Sequence, residues 1–205
     1  MTEDNSDTPF TARLWTPRSV EETRAIYADW AKDYDADVTG AGYETPARLA
    51  RALAAAGADK TAPGLDFGCG TGLSGRALAE AGFTTVDGTD ITPEMVEIAR
   101  GLGLYRDLRV TQPGAPPAPG YPAITATGVV SLGAAPPETL DDILQTLPRG
   151  GLLAVSYNDA TLADTRYTDA MADATASRAD LVSEDYGPHL RGKEMGSTVY
   201  VLRKR

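Results

Sequence analysis

Hydrophobic and polar positions recur along this chain with two different periods. From Ser19, "SVEETRAIYADWAKDYDADV" puts Val20, Ile26, Tyr27, Trp30 and Tyr34 near one face of a helix. Ser19 is placed to cap it, with Glu22 three residues on to complete a capping box. "TPARLARALAAAGA" reads as a second helix, capped by Thr45, opened by Pro46 and ended by Gly57. Beyond it, short apolar runs and helical segments take turns. The pattern predicts strands near 64–68, 84–89, 107–111, 123–130, 151–157, 180–186 and 197–203. Helices fall between them, near 72–81, 93–103, 137–147 and 161–177. "LPRGG" is a turn into the fifth strand, and "QPGAPPAPGYP" (112–122) is too rich in proline and glycine to be anything but a loop.

Strands alternating with helices imply an α/β fold, Rossmann-like, with a seven-stranded, mostly parallel sheet covered on both faces. The last two strands have only a polar loop between them, so they form a C-terminal antiparallel hairpin. The two leading helices have no strand before them and are expected to lie over the sheet as a cover. Residues 1–18, polar and holding two prolines, read as a mobile arm. Residues 19–205 read as a single domain, with leading helices or lid over 19–60 and a cofactor-binding core over 61–205.

Composition changes this picture mainly by exclusion. Hydrophobic residues make up 42% and charged residues 23% of 205, ordinary for a globular chain. A net charge of −10 argues against nucleic acid as a partner, since phosphate contacts need Lys and Arg. One cysteine and one histidine argue against a disulfide framework and a metal centre. No apolar run approaches the about 18 residues of a membrane span, and "MTEDNSDTPF" lacks a signal-peptide core. The expected address is the cytoplasm, with no membrane partner.

The chemistry concentrates in "LDFGCGTGLSGRALAEAGF", residues 65–83, where a strand meets glycines and a helix opens. "GTGLSG" fits G-x-G-x-x-G, a dinucleotide fingerprint, whereas "DFGCGTG" is D-x-G-x-G-x-G. Asp90, 20 residues past Gly70 and at the end of the second strand, suits the ribose hydroxyls of either cofactor. Asp66 just ahead of the turn would repel a pyrophosphate and suit an ammonium group. No second domain is expected to hold a hydride acceptor. Both points disfavour an NAD-dependent oxidoreductase, which remains the alternative. Cys69 has no neighbour to lower its pKa and reads as a small buried residue, not a nucleophile.

With "VDGTDITPEMVEIARGLGLY" after it, this stretch resembles the first two cofactor motifs of class I S-adenosylmethionine-dependent methyltransferases. "YADWAKDYDADVTGAGYETPARL" and "LPRGGLLAVSYND" extend the likeness, towards the group that includes the Williams–Beuren-region methyltransferase. The resemblance implies S-adenosyl-L-methionine as cofactor and methyl transfer to a small-molecule acceptor with an O or N nucleophile. A binding protein without catalysis is the second alternative.

By the same resemblance, Asp66, Gly68, Cys69 and Gly70 line the methionine part of the cofactor, with Tyr34 near its carboxylate. Asp90 takes the ribose, and Ile91 and Met95 lie beside the adenine. The family's acidic residue after the third strand is replaced here by "VTQPG", leaving Thr111 or Gln112 to substitute. Gly128 lies at the end of the fourth strand, on the cofactor side. Acceptor contacts are expected from Tyr34, Gly128 to Ser131, Asn158 and the loop "GPHLRGKE", whose His189 orients or deprotonates the acceptor as the candidate catalytic residue. No metal is expected, and the oligomeric state is not readable.

Overall fold

The computed structural model describes Thr16 and residues 18–205, so the arm expected over 1–18 lies almost wholly outside the described residues. Helix α1 (Val20–Gly40) begins as its pattern predicts, because Ser19 and Glu22 satisfy each other's backbone N–H groups in a capping box. Helix α2 (Thr45–Ala55) follows a Glu44 N-cap whose side chain makes no capping hydrogen bond. Thr45 therefore does not cap it. Its hydroxyl is fully buried and bonded elsewhere.

The rest alternates: β1 (Gly64–Phe67), α3 (Leu73–Glu80), β2 (Val86–Asp90), α4 (Pro93–Gly101), β3 (Asp107–Val110), β4 (Ala123–Ala126), α5 (Thr139–Thr146) and β5 (Leu152–Asn158). Two helices, α6 (Asp159–Leu162) and α7 (Thr165–Ser177), stand where one was predicted. The break falls at Asp164, whose carboxylate caps α7 by accepting from Arg166 N–H. Strands β6 (Ala179–Leu190) and β7 (Met195–Lys204) complete a seven-stranded sheet ordered β3-β2-β1-β4-β5-β7-β6. Strands β1 to β5 pair in parallel, and β7 runs antiparallel to both β5 and β6. Strand β6 therefore points the same way as β5, and its C-terminal end reaches the edge of the sheet where ligands bind in such folds.

Helices α5 and α7 bury Leu140, Ile143, Leu144 and Met171 on one face of the sheet, against Ile124, Leu153 and Val155. On the other face α2 and α3 bury Leu49, Leu53, Ala77 and Leu78 against Val86, Ala154, Val199 and Val201. Strand β4 stops four residues short of its predicted end. Gly128 takes φ +70° there, and its N–H leaves the ladder to donate to Ser156 Oγ at 2.9 Å. Strand β6 runs longer than predicted, because buried Arg48 on α2 donates to the Asp185 and Pro188 carbonyls and holds that end down.

Candidate functional site

The glycine-rich turn owes its shape to left-handed residues. Gly68 has φ +72°, and a Cβ on it would fall 2.2 Å from Val129 Cγ2. Gly70 has φ +53°, and a Cβ there would meet nothing within 4 Å. The backbone is thus packed tight at one glycine and open at the other. Gly68 and Cys69 N–H groups both donate to the Thr89 carbonyl, tying the turn to the end of β2. Asp90 finishes the tie: one carboxylate oxygen accepts from Gly70 N–H at 2.9 Å and the other from Thr92 N–H at 2.8 Å. Burial pushes its carboxyl pKa up, and these backbone donors pull it back.

A cleft of about 250 Å³ opens above this turn at the C-terminal ends of β1, β2 and β4. Of the residues singled out from sequence, Tyr34, Gly68, Gly70, Asp90, Ile91, Met95, Thr111, Gln112 and Gly128 all line it. Segment 111–116 forms one wall, and Val20, Thr23, Tyr27 and Tyr34 of α1 form the roof. Its charged lining residues, among those described, are Asp90, Glu138 and Asp142, all acidic. Thr89 and Thr127, also in the lining, each have a buried hydroxyl with no protein partner.

Three expected site residues lie elsewhere. Asp66 sits beneath the turn, fully buried, and is no part of the cleft wall. Its carboxylate accepts from Ser74 Oγ at 2.5 Å, Tyr105 OH at 2.7 Å and Thr125 Oγ1 at 3.0 Å. Burial raises its pKa while these hydroxyls oppose the shift. Cys69 is buried behind the turn, and burial pushes its thiol well above the ordinary range. Gly75 of "GTGLSG" also faces inward. A Cβ there would strike the Tyr105 hydroxyl at 2.3 Å, so its smallness admits Tyr105 to Asp66.

His189, expected on an exposed loop, instead belongs to β6 and is only 8% exposed. Its ring packs edge-on against Tyr43, at 5.2 Å between centroids, and its Nδ1 lies 2.8 Å from Thr45 Oγ1. Burial lowers its pKa to about 4, with Asp159 and Arg48 acting in opposite directions on it. His189 faces a smaller chamber of about 80 Å³ with Tyr27, Trp30, Tyr34, Tyr43, Ser131 and Asn158 around it. Tyr27, Tyr34, Thr127, Gly128 and Ala134 line both spaces, so the chamber adjoins the cleft.

Sequence reasoning missed the Tyr43 and Thr127 walls and placed Tyr27 and Trp30 only on the apolar face of a helix. Trp30 is buried, stacked on Tyr27 and edge-on to Tyr34, but all three rings also line the chamber. Thr127 had a signal, its place near the C-terminal end of a parallel strand. Helix α1 and the segment leading into it are fastened at three points. Thr71 Oγ1 of the glycine turn donates to Asp35 at 2.5 Å, while Arg18 and Thr23 donate to the Gly133 carbonyl at 2.6 and 3.1 Å.

A family described as "Methyltransferase domain" matches residues 41–186. Methyltransferase-like protein 27 of Homo sapiens is 32% identical over 161 residues, which is 76% of this chain and 64% of that protein. This chain thus spans less than two-thirds of that relative's length. Among solved structures, a TehB-like SAM-dependent methyltransferase from Corynebacterium glutamicum superposes with a TM-score of 0.60 at 23% identity, covering 88% of this chain and 99% of its own. A complex between the Haloferax volcanii Trm112 methyltransferase activator and the putative methyltransferase matches with 0.66 at 19%, covering 87% and 97%. The (4+2)-cyclase SpnF matches with 0.69 at 17%, covering 92% and 97%. At these identities the structures establish a shared fold, and a cyclase among them shows that the fold hosts more than one chemistry.

Proposed function

This chain belongs to the methyltransferase-domain family, whose cofactor is S-adenosylmethionine, and on that premise we propose that it methylates a small molecule held in the chamber beneath α1. The observation that carries this reading is the junction of the two spaces: a cleft with an acidic lining opens into a small aromatic chamber across Tyr34 and Gly128. The residues present fit the cofactor. The opening over Gly70 accommodates a ligand pressed against backbone, and Thr89 and Thr127 offer two unpaired hydroxyls. An acidic lining suits a cationic sulfonium and disfavours a pyrophosphate.

In this reading Asp90 accepts hydrogen bonds from the ribose hydroxyls, pre-aimed by the N–H groups of Gly70 and Thr92. Ile91 and Met95 flank the adenine, with Thr111 and Gln112 at its polar edge. Gly68 and Gly70 leave room for the methionine part, and Tyr34 lies near its carboxylate. Asp66 acts from below, through Ser74, Tyr105 and Thr125, by fixing the turn. The bound cofactor supplies an already activated methyl group, so the protein's task is alignment and exclusion of water. The rings of Tyr27 and Tyr34 favour positive charge over their faces. Helix α1 roofs the cleft and limits the entry of water. The proton displaced from an O or N nucleophile leaves to solvent.

A screen of small O- and N-nucleophiles for release of S-adenosylhomocysteine tests the acceptor class. Turnover with a small molecule supports it. Turnover confined to protein or RNA substrates overturns it.

A further inference from the structure

Thr45, Ser197, Arg48 and His189 meet where α2, β6 and β7 join, and all four are buried. Arg48 Nη1 donates to Ser197 Oγ at 3.0 Å, and a guanidinium has nothing but hydrogens to offer. Ser197 Oγ lies 2.8 Å from Thr45 Oγ1, which lies 2.8 Å from His189 Nδ1. Both hydroxyls are fully buried, so each hydrogen needs an acceptor.

One assignment satisfies every member. Ser197 accepts from Arg48 and donates to Thr45, and Thr45 donates to Nδ1. In the reverse order Thr45 would donate to Ser197, and the Ser197 hydrogen would have no acceptor. Nδ1 is therefore the unprotonated nitrogen, and the ring proton sits on Nε2, which has no hydrogen-bond partner among the described residues. His189 lines the smaller chamber, which holds no Lys, Arg, Asp or Glu among its described lining residues.

We propose that this relay locks His189 as the Nε2–H tautomer and makes it a fixed neutral donor to an oxygen of the acceptor molecule. Resting on the acceptor reading above, this assigns His189 the selection of substrate. The group lodged in the chamber carries a hydrogen-bond acceptor, such as a carbonyl, carboxylate or phenolate oxygen, and is not a protonated amine. His189 so held has no free lone pair and removes no proton from the acceptor, which sets aside the deprotonating half of the role expected from sequence.

His189 is the only histidine in the chain, so its imidazole gives a single set of nitrogen resonances in a long-range proton–nitrogen correlation spectrum. Near neutral pH the wild-type protein, without ligand, is expected to show a protonated Nε2 and an unprotonated Nδ1. Thr45→Val, which keeps the shape and removes the donor, should mix the tautomers or reverse them, and Thr45→Ser should restore the wild-type pattern. A protonated Nδ1 in the wild-type protein overturns the relay, whatever the variants do. With S-adenosylhomocysteine bound, benzoate should move the Nε2 proton resonance downfield, and benzylamine at the same concentration should leave it in place. Equal effects of both, or none from benzoate, overturn the substrate class. Failure of S-adenosylhomocysteine to bind would strike the proposed function instead and leave the tautomer result standing.

Discussion

Removing the Asp90 carboxylate is expected to damage ligand binding more than folding. In the structure its two oxygens accept from Gly70 and Thr92 N–H, at 2.9 and 2.8 Å, and the residue lines the cleft. Asp90→Ala leaves both backbone donors unpaired, but the site is partly open and water can reach them, so the stability loss should be about 1 kcal/mol. The ligand loses hydrogen bonds to a charged acceptor, worth about 1–3 kcal/mol together, or roughly 5- to 150-fold in affinity. Asp90→Asn sharpens the comparison. It keeps the shape, but turns one acceptor into an NH2 group that must face a backbone N–H or the ribose. Calorimetric titration with S-adenosylhomocysteine, alongside thermal melts, measures both quantities. An affinity within about twofold of wild type in folded Asp90→Ala would refute the ribose assignment.

Other substitutions test the scaffold. Gly68→Ala should cost at least about 1–3 kcal/mol in a denaturant melt, since its Cβ would overlap Val129 at a φ of +72°. Gly70→Ala carries only the left-handed strain, about 1–2 kcal/mol, yet should lose more ligand affinity than stability, because the added methyl enters the opening. Ile124→Ala, in the fully buried core of β4, should lose about 2–5 kcal/mol without touching the cleft. Burial lowers the His189 pKa from 6.5 to about 4, so the fold prefers its neutral form. That contribution is complete above pH 6.5, decays as pH falls towards about 4, and amounts to roughly 3 kcal/mol. His189→Gln should flatten the acid limb of a stability–pH curve over that window, and an unchanged limb would contradict the burial argument.

What was legible in the sequence is local chemistry. The glycine turn and Asp90 announce themselves because left-handed backbone needs glycine and a strand-end carboxylate recurs at a fixed distance. Ser19 and Glu22 mark their helix for the same reason. Asp66 was legible as important but not in its task. Its three partners, Ser74 on α3, Tyr105 in the loop before β3 and Thr125 on β4, are brought together only by the folded sheet. His189 was misplaced because "GPHLRGKE" looks like a polar loop, whereas Arg48, 141 residues earlier, pins that strand end into the core. The dual use of Tyr27 and Trp30 was hidden likewise, since a core stripe and a chamber wall share one helical period.

The most direct test is a titration of the wild-type protein with S-adenosylmethionine, S-adenosylhomocysteine and NAD in one buffer. The account expects both sulfur compounds to bind with dissociation constants well below about 1 mM, and NAD to bind far more weakly. NAD binding as tightly as S-adenosylhomocysteine, or no binding of either sulfur compound up to about 1 mM, would contradict it.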